Sequence, residues 1–147
     1  MRNPKPDRNT PAWVSDWLAP KLESLRPNNL PTVFVVEDDA DIARGLRYML
    51  SNAYEIRTAP GSREALEALG RGLPDLLLVD YRLPDMNGIE FMHELRARGA
   101  RLPAIMLSAY GNRREESLEA GFAAFIQKPW DNRELVWRIE SALRSSG

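Results

Sequence analysis

The sequence predicts an α/β domain built on a doubly wound parallel sheet, and three observations predict it. From Thr32 onward, short apolar runs of strand length alternate five times with amphipathic stretches of helical period. Several of those runs are apolar at consecutive positions, as expected of strands covered on both faces. The connections between them are short, which suits strands that return in parallel through crossover helices.

The elements follow in order. Val33 to Val36 is a β-branched and aromatic strand, after which Ile42, Leu46, Met49 and Leu50 form a helical stripe. Asp39 or Asp41 is placed to cap that helix. Tyr54 to Thr58 alternates as a weaker strand, and Ala65, Leu66 and Leu69 mark a helix that ends near Gly70 and Gly72. Leu76 to Val79 is the third strand. A loop with Pro84 and Gly88 leads to a helix carrying Ile89, Phe91, Met92 and Leu95, which stops near Gly99. Ala104 to Leu107 follows as a strand. Asn112 with Glu115 reads as a capping box opening the fourth helix, which Gly121 ends in a left-handed cap. Ala123 to Ile126 is the fifth strand. Asp131 with Glu134 repeats the capping arrangement, and Leu135, Ile139, Ala142 and Leu143 form the apolar face of the last helix.

Residues 1–31 differ in kind. They hold six of the eleven prolines and two of the four tryptophans, with five basic and three acidic side chains. We read them as an N-terminal arm, with residues 32–147 as the domain. Within the arm Trp13, Val14, Trp17, Leu18, Leu22 and Leu25 fall at helical spacing after a Thr10–Pro11 start, and Pro20 interrupts the pattern. Such an arm either closes over the edge of the domain or serves as a tryptophan-bearing docking or dimerisation element.

Composition bounds the function. A chain of 147 residues with 44% hydrophobic side chains supports one core without a disulfide, and there is no cysteine to make one. The cysteine-free sequence suits a reducing compartment, so a cytoplasmic protein is expected. Twenty basic residues against 21 acidic ones leave no broad positive field, so nucleic acid is not an expected partner. No apolar run reaches the length of a membrane span, and the start lacks a signal-peptide pattern.

The chemistry lies at the carboxyl ends of the strands, where ligands gather in such sheets. The first strand runs into Glu37, Asp38 and Asp39, the third ends at Asp80, the fourth at Ser108, and the fifth runs into Lys128 and Pro129. Crowded carboxylates repel one another unless a cation sits among them. All-oxygen ligation favours Mg²⁺, which takes one or two carboxylates together with water and phosphate oxygens. Lys128 adds a compact positive charge and Ser108 a hydroxyl donor. The set suits phosphoryl transfer, with Asp80 as the carboxylate left to act as nucleophile.

The stretches VFVVEDD, LLLVDYRLPDMNG, IMLSA and FIQKPW resemble the signature segments of the receiver domain of bacterial two-component response regulators, over about Thr32 to Arg144. The resemblance implies a flavodoxin-like (βα)5 fold with strand order 2-1-3-4-5. It implies that Asp80 is the phosphoacceptor, and that Glu37 and Asp38 hold Mg²⁺ together with Asp80 and the backbone carbonyl of Arg82. It makes Ser108 the switch hydroxyl, Lys128 the lysine at the phosphoryl group, Phe125 the aromatic switch residue that rotates inward, and the Lys128–Pro129 bond cis. A sensor histidine kinase or phosphotransfer protein is the implied donor, and a downstream protein or output domain the target. No enzymatic activity is implied beyond the domain's own phosphorylation and dephosphorylation.

Two departures stand out. Glu37 occupies a position where Asp is commoner, and Arg82 and Tyr110 place bulky side chains at the two positions that tune loss of the phosphoryl group in this family. Shielding by that pair implies slow dephosphorylation. A haloacid-dehalogenase type phosphatase would need a second Asp where Arg82 stands, and a flavin-binding relative would need a glycine-rich loop after the first strand. The remaining alternative is a phosphorylation-independent receiver acting as a protein-binding adaptor. On the last helix Trp137 points away from the apolar face, in the company of Arg133 and Arg144. There it covers the arm or a loop, or else joins Trp13 and Trp17 in a partner or homodimer surface. His93, the only histidine, reads as solvated surface.

Overall fold

A computed structural model describes residues 30–146. The arm therefore lies outside the described residues, with Trp13 and Trp17, except for Leu30 and Pro31. Five strands, β1 (Thr32–Val36), β2 (Glu55–Ala59), β3 (Leu76–Asp80), β4 (Ala104–Ser108) and β5 (Ala124–Gln127), form one sheet in the order β2-β1-β3-β4-β5. All four pairings are parallel. The helices are α1 (Ala40–Leu50), α2 (Ser62–Leu69), α3 (Gly88–Ala97), α4 (Arg114–Glu119) and α5 (Asn132–Ser146). The doubly wound flavodoxin-like fold and its strand order are as expected.

Side-chain alternation along the strands sorts the interior into two layers. Val33, Val35, Leu76, Leu78, Ile105, Leu107 and Ile126 face α1 and α5, where Leu46, Leu50, Leu135, Val136 and Ile139 complete the layer. Phe34, Val36, Leu77, Val79, Met106 and Phe125 face the other way, onto Ala65, Leu66, Leu69, Phe91, Met92 and Leu95. With both faces covered, the central strands can be apolar at every position, which is the continuous pattern seen in the sequence.

Helix starts are fixed by carboxylates and amides, though not always those expected. The Asp39 side chain accepts from the backbone N–H of Asp41 and Ile42, capping α1. Asn87 and Glu90 form a full capping box on α3. The box expected at Asn112 does not form. Ser108 Oγ accepts the Tyr110 N–H at 2.9 Å, and the chain turns at once into a 3-10 turn over Gly111–Arg113. Asn112 lies inside that turn, and α4 starts at Arg114 without a side-chain cap. At α5 the Asp131 carboxylate accepts from Arg133 N at 2.7 Å. Gly99 and Gly121 take positive φ after α3 and α4, the left-handed stops their sequence positions predict.

One cap comes from another part of the chain. Gly61 precedes α2 and has no side chain to offer, and Asp85 of the β3–α3 loop takes its place: Oδ1 accepts from Ser62 N at 3.0 Å and Oδ2 from Arg63 N at 2.8 Å. Its slight burial opposes the charged form, but these N–H donors outweigh that and hold the carboxyl below its usual 3.8. Because the folded pKa is depressed, this stabilisation is present above pH 3.8 and is lost as pH falls through the folded value.

Replacing Asp85 by Ala is expected to lower stability by about 1 kcal/mol at neutral pH, the usual worth of a helix cap. In urea unfolding followed by circular dichroism, the gap between the two proteins should narrow as the pH is taken below 3.8.

Candidate functional site

The parallel sheet brings the strand-end residues to one edge. Glu37 follows β1 directly and its N–H donates to Ala59 O at 3.0 Å, so the residue is held as an extension of the sheet. Asp80 closes β3 opposite Leu107 of β4. Lys128 follows β5, where its N–H donates to Ser108 O at 2.8 Å. The bond from Lys128 to Pro129 is cis, as the resemblance implies.

At the centre of the edge the Lys128 ammonium lies 2.9 Å from Glu37 Oε1 and 2.9 Å from Asp80 Oδ1. Both acids are buried, at 3% and 5% exposure, while Asp38 beside them is open to solvent. Carboxylate oxygens of Glu37, Asp38 and Asp80 come within 4.8 Å of one another. Burial, with Asp80 as a like-charged neighbour, pushes Glu37 up to about 7 against the opposing pull of Lys128. Lys128 is itself desolvated, yet its hydrogen bonds to Glu37 and Asp80 raise it above its ordinary value. One ammonium therefore leaves the three carboxylates under-neutralised. The donor set fits a hard divalent cation such as Mg²⁺, with oxygen ligands only and one open side.

Glycine permits the close approach that frames Asp80. A Cβ on Gly88 would sit 2.8 Å from Asp80 O and 3.0 Å from Met106 Cε, so the start of α3 can pack there only without a side chain. The Gly88 N–H also donates to Tyr81 O at 2.7 Å, closing the loop after β3.

In the loops that follow Asp80 and Ser108, Arg82 Nη1 donates to Tyr110 Oη at 2.9 Å, joining the ends of β3 and β4. Tyr110 meets Tyr81 edge to face at 6.4 Å, and the Arg113 guanidinium lies 4.8 Å over the Tyr81 ring. The two bulky residues are thus one bridged pair. Their contact is a relation that sequence positions alone did not reveal.

Packing sets the environment of two of the other positions. Phe125 is already inside, at 5% exposure, because its register partner Met106 and the neighbouring Phe122 build an apolar layer around it. Trp137 is half exposed, as the helical pattern predicts, but its neighbour is Arg138, whose guanidinium lies 5.1 Å over its ring. Arg133 sits near Asp131 instead, and Arg144 reaches toward Glu140 at 3.7 Å. Glu140 is buried and accepts from Tyr54 Oη at 3.2 Å, an inward acid that the apolar stripe of the last helix gave no reason to expect. His93 is exposed.

An acidic pocket with a lysine, at the carboxyl edge of a 2-1-3-4-5 parallel sheet, defines a class of signalling domain. The family model for the response regulator receiver domain matches residues 33–140, and this chain belongs to that family. It is 41% identical over 113 residues to an uncharacterised 14.6 kDa protein from the sodA1 3′ region of Leptolyngbya boryana, covering 74% of this chain and 86% of that one. It is 39% identical to the phosphate regulon transcriptional regulatory protein PhoB of Rhizobium meliloti, covering 78% of this chain and 53% of that protein. With the response regulator MprA of Mycobacterium leprae, identity is 36% over 76% of this chain and 50% of that protein, so the chain spans about half the length of these regulators. Among solved structures it is similar to the receiver domain of the Francisella response regulator 1452, with TM-score 0.74 and 27% identity, over 80% of this chain and 99% of that one. It is also similar to the response regulator TrrA of Thermotoga maritima in complex with Mg²⁺ and BeF, with TM-score 0.71 and 27% identity, over 77% and 99% of the two chains. Among the described residues no helix is long and apolar enough to cross a membrane.

Lys128→Met removes the counter-charge of two buried carboxylates and is expected to cost about 3 kcal/mol in divalent-free buffer. Millimolar Mg²⁺ should return part of that loss in the same urea titration.

Proposed function

We propose that this chain accepts a phosphoryl group on Asp80 from a sensor histidine kinase or phosphotransfer protein and uses it to alter contacts with a downstream protein or output domain. The observation that carries the proposal is the Lys128 ammonium held between Glu37 and Asp80. It presents a fixed positive charge where an incoming phosphoryl group must dock, and needs no rearrangement to do so. Lys128 engages Oδ1 of Asp80, which leaves Oδ2 to attack phosphorus. The O–P bond forms as the bond from phosphorus to the donor nitrogen breaks, and the electron pair leaves with that nitrogen.

Glu37, Asp38 and Asp80, with the backbone carbonyl of Arg82, are the residues that would hold Mg²⁺. That ion supplies charge neutralisation for the transferring group. Glu37 is longer than the commoner Asp, and it also approaches the N–H of Asp39 at 3.4 Å through Oε2. A bound ion would share the Glu37 carboxylate with Lys128 and the Asp39 N–H.

The modification adds roughly −1.5 to −2 of charge beside Lys128. Ser108 Oγ accepts the Tyr110 N–H at 2.9 Å and donates to Tyr110 O at only 3.5 Å: redirecting that O–H from the Tyr110 carbonyl to a phosphoryl oxygen would loosen the turn that leads into α4. The signal then passes to the face formed by α4, β5 and α5 through that turn, with Phe125 already packed. The bridge from Arg82 to Tyr110 restricts the approach of water to the phosphoryl group, so self-dephosphorylation is slow. The domain is expected to act in the cytoplasm and to catalyse only its own phosphorylation and dephosphorylation.

Incubation with acetyl phosphate or phosphoramidate and Mg²⁺ should add one phosphoryl group at Asp80, detected by intact-mass spectrometry, and Asp80→Asn should take none. Failure of the native protein to be modified, with unchanged partner binding in Asp80→Ala, would instead identify a phosphorylation-independent adaptor. Tyr110→Ala, which opens the bridge, is expected to shorten the lifetime of the phosphorylated form several-fold.

A further inference from the structure

At the edge of the sheet opposite the acidic site, where β3, β4 and β5 begin, a cavity of about 650 Å³ opens between the strand starts and α5. Its floor is apolar, formed by Leu102, Pro103, Ala124 and Ala142, and one wall is Trp137, with half its surface bare. Two buried polar atoms of α5 at this wall, Arg138 Nε and Ser141 Oγ, have no hydrogen-bond partner among the described residues. An exposed tryptophan beside unpaired buried donors is a surface that lacks its cover.

We infer that the cover is the chain's own N-terminal arm, with the segment around Trp13 and Trp17 seated in this cavity against Trp137. Three observations select this occupant. The chain enters the domain at the rim of the cavity: Thr32 N donates to Asp75 Oδ2 at 2.7 Å, and Asp75 lines the cavity. The thirteen peptide links from Trp17 to Leu30 can reach about 40 Å when extended. A segment tethered so close is present at an effective concentration in the millimolar range, which favours it over a second copy or an unrelated peptide.

Chemistry agrees with proximity. At 100° per residue Trp13, Asp16 and Trp17 fall within one face about 100° wide, an aromatic pair with a single carboxylate. That face matches an apolar floor flanked by the guanidiniums of Arg101 and Arg138. A small polyanion is the weaker fit. Arg96, the third arginine at the cavity, already donates to the carbonyls of Ala100, Leu102 and Gly121, so it is committed to closing the ends of α3 and α4. Seating the arm on α5 ties it to one element of the signalling face. The inference does not depend on phosphorylation of Asp80.

The absence of cysteine makes the test direct. In the full chain carrying Ala12→Cys and Ser145→Cys, a short bis-maleimide should link the two positions within one chain, giving a monomer of shifted mobility at any protein concentration. A control pair of Ala12→Cys with Glu115→Cys, at the opposite edge, should link far less. Adding Trp137→Ser to the first pair should lower the yield by about tenfold, as expected when a central aromatic anchor is removed. Linkage only between chains would overturn the inference in favour of a second copy. Equal yields for the two pairs, or no effect of Trp137→Ser on a protein whose circular dichroism is unchanged, would overturn it outright.

Discussion

Everything at the functional edge depends on one ammonium group set between two buried carboxylates. Glu37 and Asp80 come from neighbouring strands, and without Lys128 their burial side by side would be strongly unfavourable. The sheet makes the arrangement affordable by fixing all three residues through backbone hydrogen bonds, so that little freedom is lost when the side chains meet. The remaining excess of negative charge is what suits the pocket to a divalent cation.

The fold serves this edge in layers. Apolar residues on both faces of β1, β3 and β4 make the strand ends rigid, while the loops beyond them carry the polar chemistry. Gly88 lets α3 come within contact of the Asp80 backbone, and Asp39 starts α1 immediately after the acidic pair. Each device brings a helix close to the acidic edge, where Glu37 and Asp80 are buried and Asp38 stays open to solvent. The bridge from Arg82 to Tyr110 joins the loops after β3 and β4.

Much of this was legible in the sequence, for identifiable reasons. Continuous apolar runs such as Leu76 to Val79 have one reading when amphipathic stretches separate them, and strand-end residues converge once the strands are parallel. What escaped was set by contacts distant in sequence. Asp85 caps a helix that begins 23 positions earlier, which no local signal announces. Glu140 lies at an inward position of α5 because Tyr54 is there to donate to it. The Asn112 box was a local pattern overridden when Ser108 captured the Tyr110 amide. The capping box of Asn87 and Glu90, by contrast, was present in the sequence and could have been read.

The two loops flanking Asp80 are anchored differently. The one after β3 is riveted twice, by Asp85 to the head of α2 and by Gly88 to the carbonyl of Tyr81. The one after β4 is held by the Ser108 hydroxyl and by side-chain contacts of Tyr110 and Arg113 with Tyr81 and Arg82, and continues into a short helix that lacks a side-chain cap. The backbone on the β3 side of Asp80 is thus tied to α2 and to Tyr81, whereas the backbone on the β4 side is tied through the Ser108 hydroxyl and side chains.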